Sequence, residues 1–353
     1  MEDARQFRVG LSGCGGGLES VSDVALFDLA AFVDELGFDA IWINEEHFQG
    51  GTNAREGRRC LSPLILAAAL AARTERIRIG FSAIVLPLHQ PLRLAEEIAS
   101  LDVLSGGRVD LGISRGTNSQ YMAAFGMAPD EIGPRFEEGL DLLLCAWQEP
   151  TIELGGKLRS VEPKPVQRPH PPIYMATYTA ATAAWAAKSG YRLICHGINS
   201  LANLRPILRA FRDAGGDPST IPFGRFIYVS ETDGSARREI WPTILDLTKR
   251  MRDMSIFRRP NIITEDELLP ERYYDSMVIA GSPQTCVEKI VCLADEFGLR
   301  YFNALSAFFG HLPTPLLRRS LELLATEVRP LLEARHGTLP INLDHREGAL
   351  PRG

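Results

Sequence analysis

The feature that most constrains this chain is a rhythm of short apolar runs, each followed by a longer helical pattern. "FRVGLS" (7–12) leads to a helix over 22–35, and "DAIWIN" (39–44) to an Ala-rich one over 62–73. "RIRIGFSAIV" (76–85) leads to a helix over 91–104, and "RVDLGIS" (108–114) to one over 130–147. "PPIYMAT" (171–177) precedes a helix at 179–189, "YRLICHG" (191–197) one at 200–214, and "FGRFIYVS" (223–230) one at 234–252. After a helix over 283–297, "YFNALSA" (301–307) is followed by a last helix over 313–333. Strands apolar on both faces belong in a parallel sheet covered by helices. Eight such units predict a closed (β/α)8 barrel, an α/β fold, rather than an open sheet.

Two stretches break the rhythm, as insertions after strands 4 and 7. Residues 149–172 are Pro-rich with a Gly-Gly turn, which predicts a small hairpin and a linker. Residues 253–280 are charged and irregular and read as a long excursion, either a lid or a disordered segment. The expectation is a single barrel domain over 1–335, with a disordered tail over 336–353.

Composition narrows the function. The 353 residues are 45% hydrophobic and 23% charged, the balance of a globular protein. A net charge of −6 argues against a broad nucleic-acid surface, which needs clustered Lys and Arg. The six cysteines form no CxxC pair, which fits reduced thiols in a cytoplasmic protein. There is no basic-then-apolar leader, and "LSPLILAAALAA" (61–72) is too short to span a bilayer, so neither export nor a membrane partner is expected. The seven histidines never reach two-His metal spacing, so no metal is expected.

Chemistry in such barrels sits at the C-terminal strand ends. There "GFDAIWINEEHF" (37–48) runs a strand into Glu45, Glu46 and His47. Ser114 and Arg115 end the fourth strand, Thr177 to Thr182 follow the fifth, and His196 ends the sixth. The glycine run "GCGGG" (13–17) is broken as a dinucleotide fingerprint by Leu18 and reads as a loop making room for ligand.

The segments carrying this rim, with "FSAIVLPLHQPLRLAEEIASLDVLSGGRVDLGISRG", "PPIYMATYTAATAAWAAKSG" and "GSPQTCVEKI", resemble the bacterial luciferase-like flavin monooxygenases, the luciferase alpha subunit in particular. The resemblance runs in order from about residue 7 to 333 and implies the same barrel, with reduced FMN and oxygen or, in one branch, a deazaflavin. It implies that Arg115 grips the flavin phosphate; by its residue type alone, Arg115 could equally pair with a rim carboxylate. Thr179 and Thr182 match hydroxyls that bind the phosphate, or else simply cap a helix. Ser82 and Ala83 match a cis non-proline peptide beneath the flavin ring, or else are simply a tightly packed strand end. Ser114 replaces the luciferase cysteine, so thiol chemistry is not expected there.

Tyr178 stands where luciferase has a glutamate, so the flavin surroundings differ. His196 replaces a tryptophan and either faces substrate or packs. Glu46 takes the place of the catalytic histidine of the luciferase Glu-His-His-Phe motif, while Glu45 and His47 match its flanking residues. Glu46 and His47 are therefore the catalytic candidates: Glu46 as a general base or substrate contact, His47 as a participant or a hydrogen-bonded rim residue. The implied function is a two-component, reduced-FMN monooxygenase fed by a separate flavin reductase. It would insert one oxygen atom from O2 into a small organic substrate by hydroxylation or Baeyer–Villiger oxidation. The alternatives are a deazaflavin-dependent hydride-transfer enzyme and a non-catalytic flavin-binding subunit. The family likeness places a homodimer interface on the helix over 62–73. High Ala, Arg and Gly usage fits a GC-rich bacterial genome, in which such enzymes often serve secondary metabolism.

Overall fold

The computed structural model describes residues 7–14, 23–48, 61–253 and 262–336. In chain order these form β1 (Arg8–Cys14), α1 (Asp23–Glu35), β2 (Ala40–Ile43), α2 (Pro63–Ala71), β3 (Arg78–Phe81), β4 (Ile84–Val85) and α3 (Pro91–Ser105). They continue with β5 (Val109–Ser114), α4 (Ser119–Ala124), α5 (Ile132–Gln148), β6 (Ile152–Leu154), β7 (Lys157–Arg159), β8 (Ile173–Ala176) and α6 (Ala180–Lys188). Next come β9 (Arg192–Ile194), α7 (Leu201–Asp213), β10 (Phe223–Val229), α8 (Asp233–Asp253), α9 (Pro270–Met277) and β11 (Val278–Gly281). The last elements are α10 (Pro283–Phe297), β12 (Tyr301–Leu305), α11 (Thr314–Leu323) and α12 (Arg329–His336).

The sheet runs β10-β12-β1-β2-β3-β5-β8-β9 with every pairing parallel. A parallel bridge from Cys195 to Phe223, with Gly224 N–H donating to Cys195 O at 2.8 Å, returns β9 to β10. The path therefore closes into the expected barrel. Local signals set the helix ends. Gln90 caps α3 ahead of Pro91, and Ser282 caps α10 ahead of Pro283. Both helices stop at a left-handed glycine, Gly106 and Gly298.

Side-chain alternation divides the core in two. One set packs between barrel and helices; the other, with Ala40, Trp42, Tyr174, Ile194 and Tyr301, fills the interior. Trp42 lies edge-on to Tyr174 at 5.0 Å and donates its Nε1–H to Tyr301 at 2.9 Å. Gly80 is required beside it, because a Cβ there would stand 2.4 Å from the indole. At the strand starts Arg78 bonds both Asp110 oxygens at 2.8 Å, and Arg192 donates to Tyr174 at 2.8 Å.

Two expectations need correction. The run over 76–85 is two strands rather than one: the cis Ser82–Ala83 bond lies between β3 and β4. Residues 270–280 are no loop, since α9 packs on α8 and β11 pairs with β10 from Phe226↔Val278 to Val229↔Gly281, while 262–269 are turns. Residues 254–261, the tail over 337–353 and most of the 13–17 glycine run lie outside the described residues. The hairpin over 149–172 is present as β6 and β7. Among the described residues no helix is long and apolar enough to cross a membrane.

Candidate active site

The end of β2 delivers Glu45, Glu46 and His47 to the C-terminal mouth. Glu45 is buried, and its Oε2 accepts the Val85 N–H at 2.6 Å. Its Oε1 meets His89 Nε2 at 2.9 Å and His47 Nε2 at 3.0 Å. Burial is the largest influence on this carboxyl and opposes its charge. His89, the Val85 N–H and His47 together outweigh burial and hold it below the usual range. Glu46, one residue on, goes the other way. Burial pushes it up, against the hydroxyl of Tyr121, which donates to Oε2 at 3.1 Å, and against His47. The two adjacent carboxyls are thus driven in opposite directions, Glu45 toward its charged form and Glu46 toward its neutral one.

Helix α4 supplies Tyr121, and Asn118 caps that helix by accepting the Gln120 N–H at 3.0 Å. The His47 ring stands edge-on to Phe125 at 4.9 Å and to Tyr121 at 5.7 Å, with Phe48 at 5.9 Å. His89 and Tyr121 were not among the residues singled out from sequence. His89 sits in the quoted "LPLHQP" stretch, but nothing local signals a contact 44 residues back.

The next strand ends lie side by side because β4 and β8 both pair with β5. Gly112 permits the close approach, since a Cβ there would stand 1.8 Å from Phe81 O. Ser82, Ala83, Ser114 and Tyr178 are all partly buried around this junction. Arg115 follows Ser114, lies over the Phe136 ring at 5.3 Å and reaches Glu137 at 3.2 Å. A single exposed ion pair of this kind is worth ~0–1 kcal/mol, so it leaves the guanidinium free to take a stronger partner. Thr179 caps α6: its Oγ1 accepts the Thr182 N–H at 3.3 Å and donates to Thr182 Oγ1 at 3.0 Å.

His196 is placed across the mouth, four strands round the ring from β2. It stacks on Phe309 at 6.3 Å, and its Nδ1 has no partner among the described residues. Burial lowers its pKa to about 4, so the ring is neutral near pH 7. Phe308 and Phe309 beside it both have left-handed backbone, φ 49° and 52°. Asn44 Oδ1 and Ser306 Oγ, just past the ends of β2 and β12, are also buried without partners among the described residues.

A single domain-wide comparison decides the family: the profile described as luciferase-like monooxygenase matches residues 17–300. The chain belongs to the luciferase-like monooxygenase family. It is 38% identical to the uncharacterized protein y4wF of Sinorhizobium fredii over 193 residues, 53% of this chain and 54% of that one. It is 31% identical to the oxygenase component of the flavin-dependent trigonelline monooxygenase of Acinetobacter baylyi, over 47% of this chain and 46% of that one. The chain spans about half the length of these curated relatives. Among solved structures it is similar to the monooxygenase RslO1 from Streptomyces bottropensis, with a TM-score of 0.73, 26% identity, and 92% and 99% of the two chains covered.

The residues at the mouth of this luciferase-like barrel are compatible with a phosphorylated flavin-type cofactor. Ser82, Ala83 and Ser114 carry small side chains where a flat ring needs room, next to the unpartnered buried atom of Asn44. Arg115 and the capping hydroxyls of α6 offer a cation and helix-end donors suited to a phosphate.

Proposed function

We propose that this chain is the oxygenase component of a two-component, reduced-FMN monooxygenase that inserts one atom of O2 into a small organic substrate. The observation that carries the reading is the divided carboxyl pair, Glu45 shifted toward its charged form and Glu46 toward its neutral form, at the mouth that offers the phosphate donors. Arg115, Thr179 and Thr182 would hold the phosphate, and Ser82, Ala83, Ser114 and Tyr178 would surround the ring system. When bound, reduced FMN supplies the electrons and the reaction with oxygen. The chain's own residues handle position and protons. Glu46, with Tyr121 on its Oε2, delivers or receives a proton, and His47 stands beside it as a second proton carrier. His196, neutral and stacked, faces substrate rather than carrying charge. The relative named as an oxygenase component supports dependence on a separate flavin reductase.

Titration with FMN and with the deazaflavin coenzyme, followed by oxygen uptake with each reduced cofactor, tests this. Tight FMN binding and oxygen consumption are expected. Deazaflavin binding without oxygen uptake would replace the reading with hydride transfer. Binding of FMN with no turnover on any substrate would leave a flavin-holding subunit.

A homodimer through α2 belongs to the same proposal. Ile65 on α2 and Leu104 on α3 are 73% and 78% exposed, beside an open groove of mixed character lined by Leu64, Ala68 and Leu101 and by Arg93, Glu96 and Glu97. A monomer by light scattering at micromolar concentration would refute it.

A further inference from the structure

Glu45 does more than pair with one histidine. Its single oxygen Oε1 meets two imidazoles, His47 Nε2 at 3.0 Å and His89 Nε2 at 2.9 Å, while Oε2 takes the Val85 N–H at 2.6 Å. An ionised carboxylate only accepts, so each of those ring nitrogens must carry its hydrogen. A neutral imidazole has one N–H, and the bond made by one nitrogen sets the state of the other. For His47 this leaves Nδ1 as the lone-pair atom, and no described residue bonds to it. His89 approaches from the loop after β4, so it and the Val85 amide fix the carboxylate from the neighbouring unit.

We propose that Glu45 and His89 are a positioning pair that holds His47 as the Nε2–H tautomer, making Nδ1 the only basic atom it offers at the mouth. Neither residue touches the reacting atoms; they act through His47. The role rests on the reading of this mouth as a proton-handling site. It separates His47, a directed acceptor, from Glu46, which reaches the mouth through Tyr121.

Nitrogen-15 NMR of His47 in the cofactor-free protein, recorded at a pH where its ring shifts show the neutral form, reads the tautomer directly. The Nε2–H form should exceed the Nδ1–H form by at least about tenfold, as a charge-assisted bond requires. Glu45→Leu should relax it toward a mixture. His89→Leu should relax it part-way, and His89→Gln, which keeps an N–H donor, should restore it. A purely structural role would move the melting temperature without moving the tautomer. Wild-type His47 in the Nδ1–H form, or a ratio unmoved by both leucine variants, would overturn the proposal. FMN affinity on the same samples tests the cofactor reading separately. The expected tautomer without FMN binding keeps the positioning pair and sinks the cofactor reading; FMN binding with mixed tautomers does the reverse.

Discussion

The two ends of the barrel are made by the same strands, yet their polar groups are treated in opposite ways. At the strand starts Arg78 pairs with Asp110 and Arg192 with Tyr174, and within the barrel Trp42 donates to Tyr301, while Arg225 in β10 keeps two buried nitrogens without a partner among the described residues. At the C-terminal ends Asn44, His196 and Ser306 each bury a polar atom with no partner among the described residues. An unsatisfied buried group costs ~1–3 kcal/mol, so a chain selected only for stability would fill the mouth as it fills the base. Unpartnered polar atoms grouped at the C-terminal end are what the proposed ligand site there requires.

Substitutions at the two ends should therefore fail differently. The largest effect belongs to the base: Trp42→Ala should cost ~3–5 kcal/mol in urea unfolding, because the indole is fully buried and Gly80 is shaped around it. A loss below about 1 kcal/mol would mean the base is not the structural end. At the mouth Arg115→Ala should weaken FMN by ~1.5–3 kcal/mol, the worth of a charged hydrogen bond, with stability and riboflavin affinity nearly unchanged. Equal losses for FMN and riboflavin would remove Arg115 from the phosphate.

Smaller still, Glu46→Gln should keep FMN affinity within about threefold, below ~1 kcal/mol. With an oxidisable aldehyde or ketone present, it should release more hydrogen peroxide per reduced FMN consumed. Unchanged coupling would make Glu46 scaffold.

The finest test is the pH dependence of stability in the carboxyl pair. Glu46 is raised in the folded state, so its contribution is full below 4.5 and is lost as pH rises through the folded value. Glu46→Gln, always neutral, should gain melting temperature relative to wild type above that pH. Glu45 is lowered, so its contribution is present above 4.5 and is lost as pH falls through the folded value. Glu45→Gln should therefore be less stable at pH 7, and the gap should close in acid. The same sign in both variants would contradict the divided pair.

The barrel was legible in the sequence because strands such as "DAIWIN" are apolar on both faces, a pattern only a covered parallel sheet explains. Strand β11 was not. Its four residues follow a helix with Glu271 and Asp275 and a turn with Glu265, Asp266 and Glu267, and this charge hid a short buried run. For the site, position was readable and partnership was not. That Glu45, Glu46 and His47 end a strand follows from local pattern. That His89 and Val85 would meet Glu45, or Tyr121 meet Glu46, depends on contacts 40 to 75 residues apart. Arg115 shows the limit from the other side. Pairing with a rim carboxylate and service to a phosphate were both open, and the exposed contact with Glu137 is compatible with either.

Hydrogen exchange with and without FMN tests the contrast between the two ends most directly. Protection on FMN binding should appear at residues 44–48, 82–85, 112–116 and 177–183, and should be absent at the strand starts around residues 76–79 and 106–110. Protection centred on the strand starts, or none at the mouth despite saturating FMN, would contradict the assignment of the C-terminal end as the flavin site.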